Sequence, residues 1–531
     1  MKLIYKLTLF MNLFMITFQL SAQEYKASSV MLNVADKTKL EQRFKKINVF
    51  QFDIFQLYQY VHGKNNVIPL HLKFGTLILD INLSLNDLRS PTCRHQVTTD
   101  TGNVYIPLEA LNNYAGYIKG SNEAVRMNIY PNRMSAIIYG SDKSYFIESL
   151  NQIIPGINSN LVILYTQDDL LPNPNATCGG GTLLPEQLEK ENLRLEPKVK
   201  GMKKNPSIEK DDIGFTQKKT KGNNSQQYAL SVPAAACRKL EIFLDRDWEN
   251  LNMYNDTYVT PWCFSNVSGS DFIVAWSNIY DNLNNVEGLY ASWGIKFLVV
   301  WQHEWATVND PFTSSTVCGS PDRLAQFRDY WNVNETWIKR DLSICYSGID
   351  FDGSVVGCAY IGAITDATTG NSFVMIQANR WTSTLYDCLT TSSYVNIPNN
   401  WAAAEFTCLV GHEIGHIFGC NHDAAGSTTI MAPTVSTAST WSTTSNTVIT
   451  TNTSSNSNCM SRLATRWLFS PVTATIPVSV YGGEYYLNST VNAYSSPVLI
   501  QGVDLVESQV GTNLVPSSNT NGITLKTGPC Q

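Results

Sequence analysis

The run His412-Glu413-Ile414-Gly415-His416-Ile417-Phe418-Gly419-Cys420-Asn421-His422 decides the reading of this chain. It has the form H-E-x-x-H-x-x-G-x-x-H. A helix carries residues i and i+4 on one face, so His412 and His416 present two imidazoles to a single metal ion. Glu413 lies about 100° further round the same helix, within reach of a water at the metal without being a ligand. Gly419 takes positive φ at no steric cost, so it ends the helix and turns the chain back. That turn brings in His422 as a third ligand. Three imidazoles leave one tetrahedral position of a zinc ion open, which suits catalytic zinc. Zinc acidifies a water and polarises a peptide carbonyl, while Glu413 serves as general base and then as general acid.

The flanks support the helix. From Trp401 to Phe418 the run is rich in Ala, with Asn400 as the expected N-cap. Phe406, Val410, Ile414 and Ile417 form one apolar stripe, well round from the histidines. A buried helix whose histidines only hydrogen-bond is the plain alternative. Glu413, Gly419 and His422 standing in register with the first two histidines speak against it.

With Asp423 and Ile430-Met431-Ala432-Pro433 added, the motif resembles that of a metzincin with its Met-turn. The form H-E-I-G-H-x-F-G-x-x-H-D is similar to the adamalysin (reprolysin) branch, which holds the snake-venom metalloproteinases and the ADAM proteases. The resemblance implies a zinc metalloendopeptidase acting on protein or peptide substrates. It also implies that Met431 floors the zinc site and that Asp423 is a buried structural acid, not a ligand.

The whole chain sets the context. Its 531 residues are enough for several domains, and a net charge of −6 gives no reason to expect nucleic-acid binding. Residues 1–22 carry Lys2 and Lys6, an apolar run through Leu20, and then Ser21-Ala22. This reads as a secretory signal peptide, since the apolar run is shorter than the ~20 residues of a spanning helix. A secreted, soluble monomer without a membrane span in its mature form is expected, with retention at the cell surface as a variant. Twelve cysteines in an exported chain favour disulfides.

Residues 23–201 read as a strand-rich domain. Leu70 to Leu83 and Val125 to Ile138 alternate, and Asp36 to Phe44 suggests a helix capped by Asp36. Tyr114-Ala-Gly-Tyr117, Ser135-Ala-Ile-Ile and Tyr145-Phe-Ile-Glu148 resemble the adamalysin-type pro-domain. In that family a Cys-Gly such as Cys178-Gly179 is the cysteine switch, a thiolate filling the fourth zinc position in the zymogen. A disulfide from Cys178 to Cys93 is the alternative. Residues 202–232, rich in Lys, Asn, Ser and Gly, read as an exposed linker where maturation cleavage falls.

Residues 233–466 alternate strands and helices before the zinc helix, the pattern of an α/β (α+β) domain with a mixed sheet. Gly357-Cys-Ala-Tyr-Ile-Gly362 resembles the family's strand at the cleft. The strand after it is expected to be an edge that holds extended peptide, through Asn371, Ser372, Phe373 and Val374. Glu241 and Asp341 match the family's structural calcium site, with a salt bridge as the alternative. His303 reads as a surface residue at a strand end, and Cys420–Cys459 is a guessable disulfide. Residues 467–531, poor in charge, read as a small β-rich tail similar to C-terminal segments of secreted bacterial proteins. The rival to the protease reading is an adhesin or binding module on a catalytically silent metzincin fold.

Overall fold

The computed structural model describes residues 23–179, 238–253, 269–318, 322–378 and 401–455 apart from short gaps, with backbone strands between 466 and 527. Residues 1–22, read above as a signal peptide, the stretch 202–232, Asn371, Asn400 and Cys459 lie outside the described residues.

The first unit is a closed barrel. Its chain runs through β1 (Gln23–Ser29), β2 (Asn48–Gln51), β3 (Ile68–Phe74) and β4 (Leu77–Leu85). It leaves for a hairpin, β5 (His95–Thr99) and β6 (Gly102–Ile106), then returns through β7 (Asn113–Ile118), β8 (Ala124–Tyr130), β9 (Arg133–Tyr139), β10 (Tyr145–Ser149) and β11 (Leu161–Thr166). The order β1-β2-β11-β10-β9-β8-β7-β4-β3 closes through a parallel pairing of β1 with β3. Alternation fixes the faces: Ile68, Leu70, Leu72 and Phe74 of β3 all point into the core. The expected helix is present as α1 (Val34–Glu41), but its cap is Asn33, whose side chain accepts from the Asp36 backbone N–H. A second helix, α2 (Ile54–Val61), buries Ile54, Leu57 and Val61 in the same core.

After β12 (Thr177–Cys178), the second unit begins with β13 (Arg238–Arg246). It continues through α3 (Trp248–Met253), α4 (Gly269–Tyr290), β14 (Ile295–Trp305), α5 (Arg323–Asn334), β15 (Leu342–Ser347), β16 (Val355–Ala359) and β17 (Phe373–Gln377). The zinc-motif helix α6 (Ala403–Ile417) and α7 (Thr443–Ser455) follow. The sheet is mixed, as the α/β pattern predicts, in the order β12-β16-β17-β15-β13-β14-β5-β6. Its interior strands are parallel, and β16 runs antiparallel to β17. Interior strands read as nearly continuous apolar runs because helices cover both faces: every residue of β15 and of β17 is buried.

Both outer positions of this sheet are filled by the first unit. At one end β5 pairs parallel with β14, Gln302 opposite His95, and at the other β12 pairs with β16. The strand-rich region 23–201 therefore does not keep its strands to itself. His303 is also not at the surface. It is fully buried, with Nδ1 2.8 Å from Asp245 Oδ1 and Nε2 2.8 Å from Thr98 Oγ1. Pairing with the β5 hairpin encloses it.

The β-rich tail consists of short parallel strands that alternate along the chain between two stacks, from Arg466–Leu468 to Ile523–Thr527. Such alternation is the pattern of a coil whose successive turns lie on one another.

In β7, a Cβ on Gly116 would lie 1.9 Å from the Asn82 carbonyl oxygen. Gly116→Ala should therefore prise β7 from β4 and destabilise the barrel by about 1–3 kcal/mol, read as a lower urea midpoint for the barrel's transition.

Candidate metal centre and active-site cleft

Helix α6 starts two residues later than the sequence reading placed it. Ala402 stands at its N-cap position, and its backbone N–H donates to Glu405 Oε2 at 3.2 Å. Ala403 N donates to Glu148 Oε1 of the barrel at 2.8 Å. Two carboxylates thus meet the N–H groups that the first turn leaves free, where the helix dipole favours negative charge. The stripe Val410, Ile414 and Ile417 is fully buried. Gly411 lets α4 approach: a Cβ there would lie 2.5 Å from Leu289 Cδ1, and the Gly411 carbonyl accepts from Tyr290 at 2.8 Å.

Gly419, at φ +94°, ends the helix as expected. Its N–H and that of Cys420 return to the carbonyls of His416 and Gly415, at 2.8 and 3.0 Å. The turn delivers His422 to the other two histidines. Nε2 of His416 lies 3.1 Å from that of His412 and 3.2 Å from that of His422. His412 Nδ1 is 2.7 Å from the Ile430 carbonyl, and His416 Nδ1 is 2.7 Å from the Cys420 carbonyl. A carbonyl only accepts, so each Nδ1 carries the proton and each Nε2 carries a lone pair. Lone pairs facing each other at this distance repel unless a cation lies among them. The donor set therefore fits a metal ion, and backbone carbonyls orienting the rings complete the pattern of a metal-binding histidine.

Burial keeps the rings neutral. It pushes His412 down to about 3 and His416 well below the ordinary range, His416 also being lowered by its neighbour His412. His422 is lowered by burial too, with Asp423 acting in the opposite direction. Neutral imidazole is the form a metal takes.

Met431 is fully buried beneath the histidines, and a Cβ on Gly415 would lie 2.6 Å from its Sδ. Asp423 is half-buried where the resemblance implied full burial. It accepts from Thr429 and from Ser442 Oγ, the latter at 2.8 Å, and ties the turn to the start of α7. Asp423 stands outside the cluster of possible ligands, which is Cys178, His412, His416 and His422, with donor atoms all within 4.8 Å of one another.

Cys178 Sγ lies 3.4 Å from His416 Nε2. The segment that carries it is stretched between two walls. Thr177 and Gly179 donate to the carbonyls of Ser354 and Gly357 along β16, at 2.7 and 2.9 Å. Cys178 N donates to the Pro433 carbonyl at 3.1 Å, and Val435 N to the Ala176 carbonyl at 2.8 Å. Cys178 and Cys93 are not joined in a disulfide, and among the described residues Cys420 forms none either, its Sγ lying 3.7 Å from the Ser445 carbonyl. One pair that the sequence did not suggest, Cys318–Cys358, joins β16 to the segment before α5.

Glu413 is fully buried, and neither carboxylate oxygen has a hydrogen-bond partner among the described residues. Burial raises it to about 8, with the Cys178 thiol a smaller influence in the other direction. A cation at the histidines would favour the charged form. The carboxylate lies against β16, where a Cβ on Gly357 would stand 2.5 Å from Oε1.

Two expectations change. β17, with Phe373 and Val374, lies between β15 and β16 and has both edges paired, so the cleft's edge is β16. Ser372 bonds inward, to the Ala363 carbonyl at 3.0 Å. The wall at 433–435, which grips the segment from the other side, was not read from the sequence. Its position directly after the Met-turn was the available signal. Calcium is not supported either. Glu241 pairs with Lys239 at 2.7 Å, and Asp341 accepts from the Glu241 backbone N–H at 2.7 Å. The salt-bridge alternative accounts for Glu241.

Residues 255–463 match the family Reprolysin_5, metallo-peptidase family M12. The zinc metalloproteinase-disintegrin-like protein atragin of Naja atra is 23% identical over 145 residues, which is 27% of this chain and 20% of that protein. Metalloproteinase II of Bacteroides fragilis aligns in structure over 75% of this chain and 95% of its own, at 11% identity and a TM-score of 0.36. The family match supports an M12-type metallopeptidase domain, in which a three-histidine site implies a catalytic zinc.

Burial, with the neighbouring Glu241 charge adding to it, raises Asp341 from 3.8 to about 7. The folded state then holds a proton that the unfolded state has lost between these values, so its stabilising effect fades as pH rises through 7. Asp341→Asn should lose no stability at pH 8 relative to the parent, and millimolar calcium should leave the thermal midpoint of both unchanged.

Proposed function

We propose that this chain is the secreted zymogen of a zinc-dependent endopeptidase, held shut by Cys178. The observation that carries the reading is the convergence of three histidine Nε2 atoms, two of them oriented by backbone carbonyls, and one thiol on a single point, beside a buried carboxylate without a hydrogen-bond partner among the described residues. Zinc bound there would supply a Lewis acid that polarises a peptide carbonyl and acidifies a water. His412, His416 and His422 would hold it, and Cys178 would take the fourth position as a thiolate, excluding water.

The chain's own groups account for the rest. With the 176–179 segment gone, β16 and the 433–435 wall offer the same backbone donors and acceptors to an extended substrate, which they would hold as an added strand. Glu413 would take the proton from the attacking water and deliver it to the leaving amine nitrogen. Its burial excludes competing solvent, and Gly357 leaves it room against β16, the strand beside which the substrate would lie. The leader read at residues 1–22 is consistent with secretion. A silent binding module is not favoured, because a chain freed from catalysis has no need to keep Glu413 in register with three ligands.

Glu413→Gln should lower cleavage of an internal peptide bond by about 10²–10⁴-fold while metal content, read by elemental analysis, stays at one zinc per chain. Gly357→Ala should displace the same carboxylate and cost about 10²-fold in kcat with the metal again retained. Activity in each of these assays is read after removal of residues 23–179; chelation should then abolish it in the parent and zinc should restore it, whereas a processed parent equally active in chelator would end the zinc reading.

A further inference from the structure

The barrel touches the catalytic unit through far more than the switch segment, and its three arginine ion pairs to that unit share one polarity. Arg43 pairs with Glu405 at 3.1 Å, Arg126 with Glu287 at 3.1 Å, and Arg133 with Asp281. In each pair the cation belongs to the barrel and the acid to the catalytic unit, and all six side chains are largely buried. Around them lie neutral bonds: Asn113 Nδ2 to Asp281 at 2.7 Å, and Asn284 Nδ2 to Asn128 Oδ1 at 2.7 Å. A Cβ on Gly288 of α4 would stand 2.3 Å from the Tyr139 ring, so the barrel is seated directly on the helix backbone. The β5 strand adds four paired residues to the edge of β14.

Cys178 is tied to this barrel by a short connection. Leu170 bridges to Phe44, and Leu171 N donates to the Arg43 carbonyl at 2.7 Å, shortly before the chain enters the cleft at Ala176. The stretch toward the catalytic unit is much longer, from Gly179 to the start of β13 at Arg238. A cut in 202–232 therefore severs the long connection and leaves the short one whole. The thiol stays beside the histidines at the high effective concentration that a short tether to a docked body provides.

We infer that cleavage of the linker alone does not activate this protein: the barrel stays docked as a non-covalent inhibitor, and activity appears only when the barrel itself is released or destroyed. The complementary surface on the catalytic unit, formed by Asp281, Glu287 and Glu405 with the β14 edge, is thus a binding site for residues 23–179. This rests on the zymogen reading above. Breaking buried charge pairs on one side leaves unpaired acids on the other, so their loss should weaken docking severely.

The test uses the full chain with a recognition sequence for a specific protease placed within 202–232. After complete cutting, the two fragments should co-elute on size exclusion, and peptidase activity should stay within about twofold of the uncut chain. The same cut in an Arg126→Ala/Arg133→Ala variant should separate the fragments and raise activity about tenfold or more. Separate elution of the fragments from the unsubstituted cut chain, with activity rising, would overturn the inference, and that result decides even if the double variant does not fold. Elution reads docking without catalysis, so a freed catalytic unit that cuts nothing would count against the protease reading alone.

Discussion

Three nitrogen lone pairs aimed at one point are the constraint on which the rest of this structure depends. Left to itself, such a cluster would rotate a ring, protonate or admit water. Here rotation is blocked because two of the rings are fastened at Nδ1 to backbone carbonyls, those of Ile430 and Cys420. Protonation is opposed by burial. The carbonyls are in place only because Gly419 turns the chain sharply and because Met431 packs under Gly415. The helix that carries the first two histidines is fixed in turn by α4, through Gly411 and Tyr290. Each support is a close backbone approach that a larger side chain would prevent.

What the sequence made legible follows from range. The ligands, the general base and the turn between them lie within eleven residues, and their spacing is set by helix geometry, which needs no tertiary information. Met431 and Asp423 lie just beyond, and their roles came from the family resemblance and not from helix geometry; Asp423 is less buried than that resemblance implied. The strands of the catalytic unit could be found as apolar runs, but not their order. Phe373 to Gln377 and Val355 to Ala359 are both apolar and β-prone, and only the sheet topology reveals that the second is the strand at the cleft. His303 was misplaced because its cover, the hairpin from His95 to Ile106, lies some two hundred positions earlier in the chain and in what reads as a different domain. The acid pair Glu241 and Asp341 shows the converse error: spacing matched a metal site, while Lys239 on the same strand was available as partner.

The interface between the two units includes several buried polar pairs beside its apolar contacts. Burying Arg126, Arg133, Glu287 and Asp281 costs desolvation, which the ion pairs offset only while both surfaces are in contact. An apolar interface would leave a sticky face on each part after separation; this one leaves faces that water can solvate. The polar character therefore makes separation tolerable for each part without making the joined state loose, since Asn113, Asn128 and Asn284 satisfy the remaining donors and acceptors.

The place occupied by Gly179 sets the order of events during synthesis. A Cβ there would come within 2.3 Å of Cys318 Sγ and 2.8 Å of Val355 Cγ1, so the residue fits only against the finished wall made by the Cys318–Cys358 bridge. That wall, together with Pro433 and Val435, emerges long after residues 176–179 have left the ribosome. The histidines and their carbonyl supports emerge over the same late stretch. The segment that fills the cleft is thus already synthesised when the cleft first takes shape. Closure of the Cys318–Cys358 bridge completes its seat, so the order of synthesis puts the filling segment ahead of the site that it fills.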